Sequence, residues 1–186
     1  MQYSFHSEQW VPYPIESVFA FFANPHNLPL LVPKWQRAQV EETAITPPPP
    51  RPASAVPVPR APGITAGEGS RITISFRPFP YSPLRVPWQA LISDFVWNER
   101  FCDVQERGPF ATWTHCHSFE SETRANDAGV LTSGTVIRDE LEYELPMGAL
   151  GVLAQKMLVG RQVRATFAFR RARVRLILPQ LLGRGN

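Results

Sequence analysis

The sequence lacks any apolar run of the roughly 18 residues that a membrane-spanning helix needs. Its first ten residues, MQYSFHSEQW, have neither the basic start nor the apolar centre of a secretory signal peptide. We therefore expect a cytoplasmic protein with no membrane span. Lysine is scarce too, since Lys34 and Lys156 are the only two, and the formal net charge is +3 despite a pI of about 9.2. So small a net charge predicts no nucleic-acid partner.

Cysteine is rare, and the common catalytic motifs are missing. Two cysteines, Cys102 and Cys116, do not make a disulfide framework. They can face each other across a hairpin, but we predict two small, half-buried thiols. No serine-centred nucleophile motif, phosphate-binding loop or dinucleotide fingerprint occurs. The sequence therefore predicts no cofactor and leaves open whether the protein is an enzyme.

Proline is concentrated in one stretch. The chain has 186 residues, 44% of them hydrophobic, which predicts a single domain with a substantial core. Half of the residues from Pro47 to Pro62 are prolines, a composition typical of polyproline II or an open loop. We interpret residues 46–66 as an insertion loop in a domain spanning residues 1–172, with residues 173–186 as a C-terminal tail. A protein-interaction module that uses this loop and the basic tail is an alternative.

The spacing of the apolar residues predicts the order of the elements, because apolar residues repeat about every 3.6 positions in an amphipathic helix and every second position in a half-buried strand. Two short helices should begin near Pro14 and Pro25, and a long helix should span about Ala149–Arg171. The predicted strands are Gln2–Val11, Trp35–Ile45, Ser70–Arg77, Trp88–Trp97, the two arms of a hairpin within Arg100–Phe119, and Thr135–Leu145. This order predicts an α+β fold in which a strongly curved antiparallel sheet wraps around the long C-terminal helix.

The hairpin concentrates the polar chemistry of the chain. Each arm alternates with period two, so that one face of the first arm carries Phe101, Asp103 and Gln105, and one face of the second carries Trp113, His115, His117 and Phe119. The two faces coincide only if the loop between the arms has an odd number of residues. Proline is disfavoured at the second position of a two-residue turn, so Gly108-Pro109 favours a loop of about three or five residues.

The last strand and the long helix complete the predicted interior. One face of the strand carries four charged residues and is solvated, so Asp139 is an anomaly on the opposite face, among Ile137, Leu141 and Tyr143. On the helix we predict a buried stripe of Leu150, Leu153, Ala154, Met157, Leu158, Ala165 and Ala168. The arginines near its end, including Arg170, are explained by the negative end of the helix dipole.

Several segments, taken in order, resemble the helix-grip superfamily labelled SRPBCC or START-like, which includes polyketide cyclase/dehydrase-like and lipid-carrier proteins. They are VPYPIESVFAFFANPHNLPLLVP near the N-terminus, FCDVQERGPFATWTHCHSF and GTVIRDELEYELPMGALG. The last two are similar to a bacterial branch described as ligand-binding SRPBCC proteins. The resemblance implies a deep cavity, between the sheet and the long helix, for a hydrophobic or amphipathic molecule. It implies no particular activity.

A small hydrophobic or amphipathic ligand is therefore the expected partner: a lipid, an isoprenoid, a polyketide or another aromatic compound. The sequence leaves the oligomeric state open. The residues predicted to contact the ligand are Trp88, Ile92, Phe101, Asp103, Gln105, Trp113, His115, His117, Phe119, Ile137, Asp139, Leu141, Tyr143, Leu153 and Met157.

Three functions of the two histidines compete with a purely structural hydrogen-bond network. We favour that network together with the first function, in which His115 and His117 orient the ligand. A metal site formed with Asp139 ranks lower, because His-x-His sites of the cupin type add a further histidine, and only His6 and His26 remain. General acid–base catalysis of a cyclisation or dehydration, with Asp139 or Asp103 as the partner carboxylate, ranks lowest. We therefore predict no bound metal.

Overall fold

The computed structural model describes residues 1–52, 63–125, 129–146 and 148–183. Seven antiparallel strands form one sheet in the order β1-β7-β6-β5-β4-β3-β2. The strands are β1 (Gln2–Val11), β2 (Gln39–Ala44), β3 (Arg71–Phe76), β4 (Val86–Val96), β5 (Arg100–Arg107), β6 (Thr112–Ala125) and β7 (Leu131–Glu144). The α+β class is confirmed, and each predicted strand occurs, although β2 begins at Gln39 rather than Trp35 and β7 begins at Leu131 rather than Thr135.

Short helices at the start of the chain and a long helical segment at its end accompany the sheet. After β1 come α1 (Ile15–Phe22) and two 3-10 turns (Pro25–Leu30 and Lys34–Gln36). Asn24 caps the first of these turns, because its side-chain oxygen accepts a hydrogen bond from the backbone N–H of His26 at 3.0 Å. The C-terminal segment consists of α2 (Ala149–Ala154), a π-helical turn (Gln155–Val159) and α3 (Gly160–Leu182).

The register of β5 and β6 brings the polar residues of the hairpin onto one face. Asp103 lies directly opposite His115, and the next pair toward the turn is Val104 with Thr114. Nine residues separate that pair, so the odd-number condition is met. On the other edge of β6, His117 pairs with Asp139 of β7. Four of the polar residues singled out in the sequence therefore lie on adjacent positions of three neighbouring strands.

The core beneath α1 is aromatic. Phe19 is fully buried, and its ring packs edge-on against Phe95, Phe101 and Phe119, with centroid separations of 5.2–5.9 Å. Aromatic pairs in this geometry contribute about 0.5–1.5 kcal/mol each beyond the area that they bury. This cluster fastens α1 to β4, β5 and β6.

The long helix extends beyond its predicted end at Arg171. It continues to Leu182, so the residues predicted to form a tail are helical as far as that position. Val174, Ile177 and Leu178 belong to the same core cluster as Phe19. Arg170 therefore lies in the middle of α3 rather than at its end, and its earlier explanation by the helix dipole is wrong.

The predicted buried stripe of the helix is also wrong in most of its positions. Leu153 and Met157 are 53% and 68% exposed, and Leu158 is 47% exposed. Ala154, Ala165 and Ala168 are exposed as well, and the side chain of Leu150 lies outside the described part. The observed stripe is Val163, Phe167, Arg170, Val174 and Ile177. The π-helical turn inserts an extra residue and rotates the faces on either side of it, a change that apolar spacing does not reveal.

Part of the proline-rich insertion packs on the body of the protein. The indole N–H of Trp97 donates a 2.6 Å hydrogen bond to the carbonyl oxygen of Pro49, and the guanidinium of Arg51 lies 4.4 Å from the centre of the Trp97 ring. Residues 53–62 of the insertion lie outside the described residues. Within the described residues, no helix is long and apolar enough to span a membrane.

The two cysteines form a disulfide, so the prediction of free thiols is wrong. Cys102 and Cys116 are register partners, and their Cα atoms lie 4.1 Å apart. Direct opposition across a hairpin thus places the sulfur atoms within bonding distance. Both side chains lie on the face of the sheet opposite Asp103 and His115, so the bond fixes the β5–β6 register from behind the polar residues.

Removing this disulfide should lower stability. The bond closes a loop with a sequence separation of 14, for which the chain-entropy model gives about 3 kcal/mol. We expect the Cys102→Ala/Cys116→Ala variant to lose roughly that free energy of unfolding in urea titrations under oxidising conditions. Wild-type protein in dithiothreitol should unfold at the lower midpoint as well. An unchanged wild-type midpoint after reduction would contradict the assignment.

Candidate functional site

A cavity of about 380 Å³ lies between the sheet, α3 and the 3-10 segment after α1. Its wall is mainly apolar. Trp88, Phe110 and Trp113 form an aromatic group at one end, with ring centroids 4.6–5.6 Å apart. Phe79 and Leu158, both about half exposed, line the cavity and also reach solvent, which places its opening between the β3–β4 loop and the π-helical turn.

Seven of the residues predicted to contact a ligand line this cavity. They are Trp88, Ile92, Phe101, Asp103, Trp113, His115 and His117. Period-two alternation assigned these residues to one face of each strand. They lie together because β4, β5 and β6 are neighbours in the sheet and present one common face to α3.

The other eight predicted residues do not line it. Phe119 and Ile137 belong to the core beneath α1, and Leu141 and Tyr143 pack in a cluster with Val163 and Phe167. Leu153 and Met157 point to solvent. Gln105 instead holds the β5–β6 loop, since its amide N–H donates to the carbonyl oxygen of Phe110 at 2.8 Å. Asp139 lies behind the histidines.

Asp139 is the centre of a buried polar cluster. Its Oδ1 lies 2.9 Å from Nη1 of Arg170, 3.2 Å from Nε2 of His115 and 2.9 Å from Nδ1 of His117. The last contact is close but poorly aligned, so Nδ1 of His117 makes no well-formed hydrogen bond. All four side chains are at most 10% exposed. The anomaly of a carboxylate on the core face of β7 is explained by this set of partners.

Asp103 stands on the cavity side of the same cluster. Its Oδ2 lies 3.4 Å from Nδ1 of His115, and its side chain is 19% exposed, more than the other members. His115 is thereby held between two carboxylates, one on each ring nitrogen. Asp103, His115 and His117 each offer one donor atom, and these atoms lie within 4.8 Å of one another. This trio has the composition of a metal site.

Arg170 is the functional residue that the sequence interpretation missed, and a signal for it existed. Val163, Phe167, Val174 and Ile177 recur at helical spacing, and Arg170 falls on the same stripe. A charged residue on an otherwise apolar face requires a buried counter-ion, and Asp139 was the one carboxylate already noted on a core face. Phe110 was missed because it follows the turn and belongs to no alternating pattern.

The protonation of the cluster follows from burial and from its charged neighbours. Burial alone would raise the pKa of Asp139, but Arg170 and the two histidines hold this pKa well below its usual value. Burial likewise opposes a charge on His115, yet its hydrogen bonds to Asp103 and Asp139 raise its pKa. Burial and the adjacent charge of His115 lower the pKa of His117 to about 4. The cluster therefore favours the charged form of His115 and keeps His117 neutral at pH 7.

Acid should destabilise the metal-free protein in a range set by His117. Its pKa is about 4 in the folded chain and near 6.5 when unfolded, so the unfolded state binds the proton first. We expect the urea midpoint to fall as the pH falls from about 6.5 to 4, with Asp139 adding to the loss at lower pH. His117→Gln should flatten the curve between pH 6.5 and 4. A wild-type urea midpoint that rises as the pH falls from 6.5 to 4 would contradict the assignment of His117 as the neutral histidine.

Comparisons with known proteins identify relatives by structure alone. No protein-family model and no curated protein matches the chain. Among solved structures, TTHA0849 from Thermus thermophilus aligns over 94% of this chain and 98% of its own, with a TM-score of 0.55 and 17% identity. DR_A0006 from Deinococcus radiodurans aligns over 97% and 99%, with a TM-score of 0.52 and 15% identity.

A plant enzyme shows the same arrangement. Norcoclaurine synthase from Thalictrum flavum, solved in complex with dopamine and hydroxybenzaldehyde, aligns over 95% of this chain and 88% of its own, with a TM-score of 0.53 and 14% identity. At such identities the likeness extends to the fold and not to the activity. The chain has a helix-grip fold, a curved antiparallel sheet with a long C-terminal helix, and the resemblance seen in the sequence is confirmed at that level.

Proposed function

We propose that this protein binds a small hydrophobic or amphipathic molecule in the cavity between its sheet and α3. The observation that carries the proposal is a 380 Å³ cavity whose wall is mainly apolar and which includes one group of titratable side chains, Asp103, His115 and His117 from adjacent strands and Arg170 from α3. Cavities that hold small molecules have about this volume and this distribution of polarity. The proposed binding unit is one domain.

Two ends of the cavity suggest how such a molecule would be oriented. Its apolar part would pack against Trp88, Phe110 and Trp113, and each Å² of apolar surface buried there contributes about 25 cal/mol before the cost of ordering. A polar group would meet Asp103, the least buried member of the polar cluster. The affinity then comes mainly from the aromatic end and the orientation from the polar cluster.

The tail gives little support to the alternative of a protein-interaction module. That alternative uses the apolar residues after residue 172, of which Val174, Ile177 and Leu178 are buried in the core and only Leu176 and Leu181, among the described residues, are exposed. The proline-rich loop is also partly fastened to the body through Trp97. The cavity is therefore the better-supported binding site.

Filling the cavity should abolish binding of an apolar probe. Ala90 and Ala38 both line the cavity, so Ala90→Trp and Ala38→Trp each place an indole within it. We expect wild-type protein to bind 1-anilinonaphthalene-8-sulfonate with a blue-shifted emission, and each variant to bind it at least tenfold more weakly. Ala168→Trp, on the exposed face of α3, is the matched control.

Folding of each variant is verified by its urea midpoint. Equal affinity of wild type and of both folded cavity variants for the dye would contradict the proposal. Native mass spectrometry of the purified wild type provides a second, independent measurement. A bound organic mass that is present in wild type and lost in Ala90→Trp would support it.

A further inference from the structure

We propose that Asp103, His115 and His117 bind one divalent transition-metal ion at the polar side of the cavity. Two imidazoles and one carboxylate are an ordinary ligand set for Zn²⁺ and for non-haem Fe²⁺. The three donor atoms lie within 4.8 Å of one another, whereas donors around a tetrahedral ion are about 3.4 Å apart. The trio must therefore close slightly around the ion. Asp103 is the least buried of the three and has the most freedom to do so.

The other carboxylate of the cluster occupies the position that orients metal-binding histidines. A histidine that binds a metal through one ring nitrogen usually donates its other N–H to a carboxylate or a carbonyl group. Oδ1 of Asp139 is within hydrogen-bonding distance of Nε2 of His115, at 3.2 Å, and it also lies 2.9 Å from Nδ1 of His117, although that contact is poorly aligned. This leaves Nδ1 of His115, which already faces Asp103, and Nε2 of His117 for the ion.

Arg170 fixes that orienting carboxylate and keeps it from competing for the ion. Its Nη1 donates a 2.9 Å hydrogen bond to the same Oδ1 of Asp139. The two carboxylates are therefore divided between two tasks: Asp139 lies behind the histidines and is neutralised by arginine, while Asp103 lies in front and lines the cavity. The sequence suggested Asp139 as the third ligand, whereas the donor atoms that the structure brings together with the two histidines on the cavity side include that of Asp103.

The charge of the cluster also favours a cation. An ion binds imidazoles only in their neutral form, so any proton on His115 is released as the ion binds. Asp103, Asp139 and Arg170 then carry a formal charge of −1 in largely buried surroundings. An isolated charge in such surroundings is costly, and a bound cation removes most of that cost. Because Asp103 lines the cavity, the remaining coordination position of the ion would face the cavity and its guest. Open positions of this kind are typical of metal sites that act on a substrate.

Calorimetric titration of the full, tag-free chain with Zn²⁺ tests the site after treatment with EDTA. We expect one Zn²⁺ per chain, with affinity at least tenfold lower in Asp103→Asn and in His117→Gln. His6→Gln and His26→Gln, which change exposed histidines, are the matched controls and should bind as wild type does. Asp139→Asn should weaken binding by about 10–100-fold through the loss of orientation. Co²⁺ absorption gives a spectroscopic readout that a merely structural effect would not reproduce.

Two outcomes would overturn the proposal. One is the absence of saturable one-to-one Zn²⁺ binding to wild type, and the other is wild-type affinity in a folded Asp103→Asn variant. Folding of each variant is checked by its urea midpoint, and Asp103→Asn replaces a partly exposed group with one of the same shape. The dye experiment is performed without metal, so a failure of the metal site and a failure of the cavity remain distinguishable.

Discussion

Arg170→Met should lower the free energy of unfolding by about 3–5 kcal/mol, one of the largest effects of any single substitution in the chain. The variant removes the cation that faces Asp139 at 2.9 Å and leaves a buried carboxylate with only the histidines as partners. Breaking a buried ion pair at one side costs this much because the remaining charge keeps its desolvation penalty. Urea denaturation at pH 7 measures the loss.

Two further variants separate the ion pair from other contributions of the arginine. Arg175→Met, an exposed position on the same helix, should change stability by no more than about 0.5 kcal/mol. Arg170→Met/Asp139→Asn removes both charges together and should be more stable than Arg170→Met alone, because no unpaired charge remains. If Arg170→Met cost no more than Arg175→Met, the ion pair would not hold α3 to β7.

The sheet could be predicted from the sequence because its information is local. Period-two alternation identifies a strand and its two faces within a few residues, and the turn at Gly108-Pro109 restricts the register. This was enough to bring Asp103 opposite His115 and to mark Asp139 as a carboxylate in the core. The sequence therefore identifies three of the four residues of the buried polar cluster, namely Asp139, His115 and His117, and misses Arg170.

The helix could not be predicted as well, because its phase depends on a feature without a sequence signature here. The π-helical turn at Gln155–Val159 changes which face of the segment meets the sheet. The predicted stripe, which begins at Leu150 and continues at uniform helical spacing, therefore includes Met157, which is exposed, and omits Arg170, which is buried. The partner of Arg170 lies 31 residues earlier in the chain, and such a pairing is fixed only by the tertiary packing of α3 on β7.

The wrong helix stripe and the missed role of Arg170 both concern the interface between α3 and the sheet. Correcting them changes how the site is understood. The sequence suggests two histidines with Asp139 or Asp103 as the partner carboxylate. The structure shows two carboxylates in different surroundings, one beside an arginine and one facing the cavity. Because Arg170 comes from α3 and the other groups come from β5, β6 and β7, docking of the helix completes the polar cluster. Stability of the helix and integrity of the site are therefore coupled.

Truncation after Arg173 provides the strongest test of that coupling. If the predicted tail, residues 173–186, were dispensable, removal of residues 174–186 would leave the domain intact. Instead the truncation removes Val174, Ile177 and Leu178 from the core, each of them at most 5% exposed. Full burial of such side chains contributes about 1.5–3 kcal/mol apiece, so three of them amount to a large part of the 5–15 kcal/mol that stabilises a typical domain.

We therefore expect the chain that ends at Arg173 to be unfolded or barely folded, with loss of cooperative thermal unfolding by circular dichroism and of dye binding. A chain that ends at Leu182 keeps the whole of α3 and should unfold at nearly the wild-type temperature. Leu178→Ala, with an expected loss of about 2–5 kcal/mol, tests the same contacts in a chain of full length. Cooperative unfolding of the Arg173 truncation at the wild-type temperature would show that the C-terminal half of α3 does not hold the fold together. In that case the polar cluster would need another source of its rigidity, since Arg170 would then lie within one turn of a free helix end.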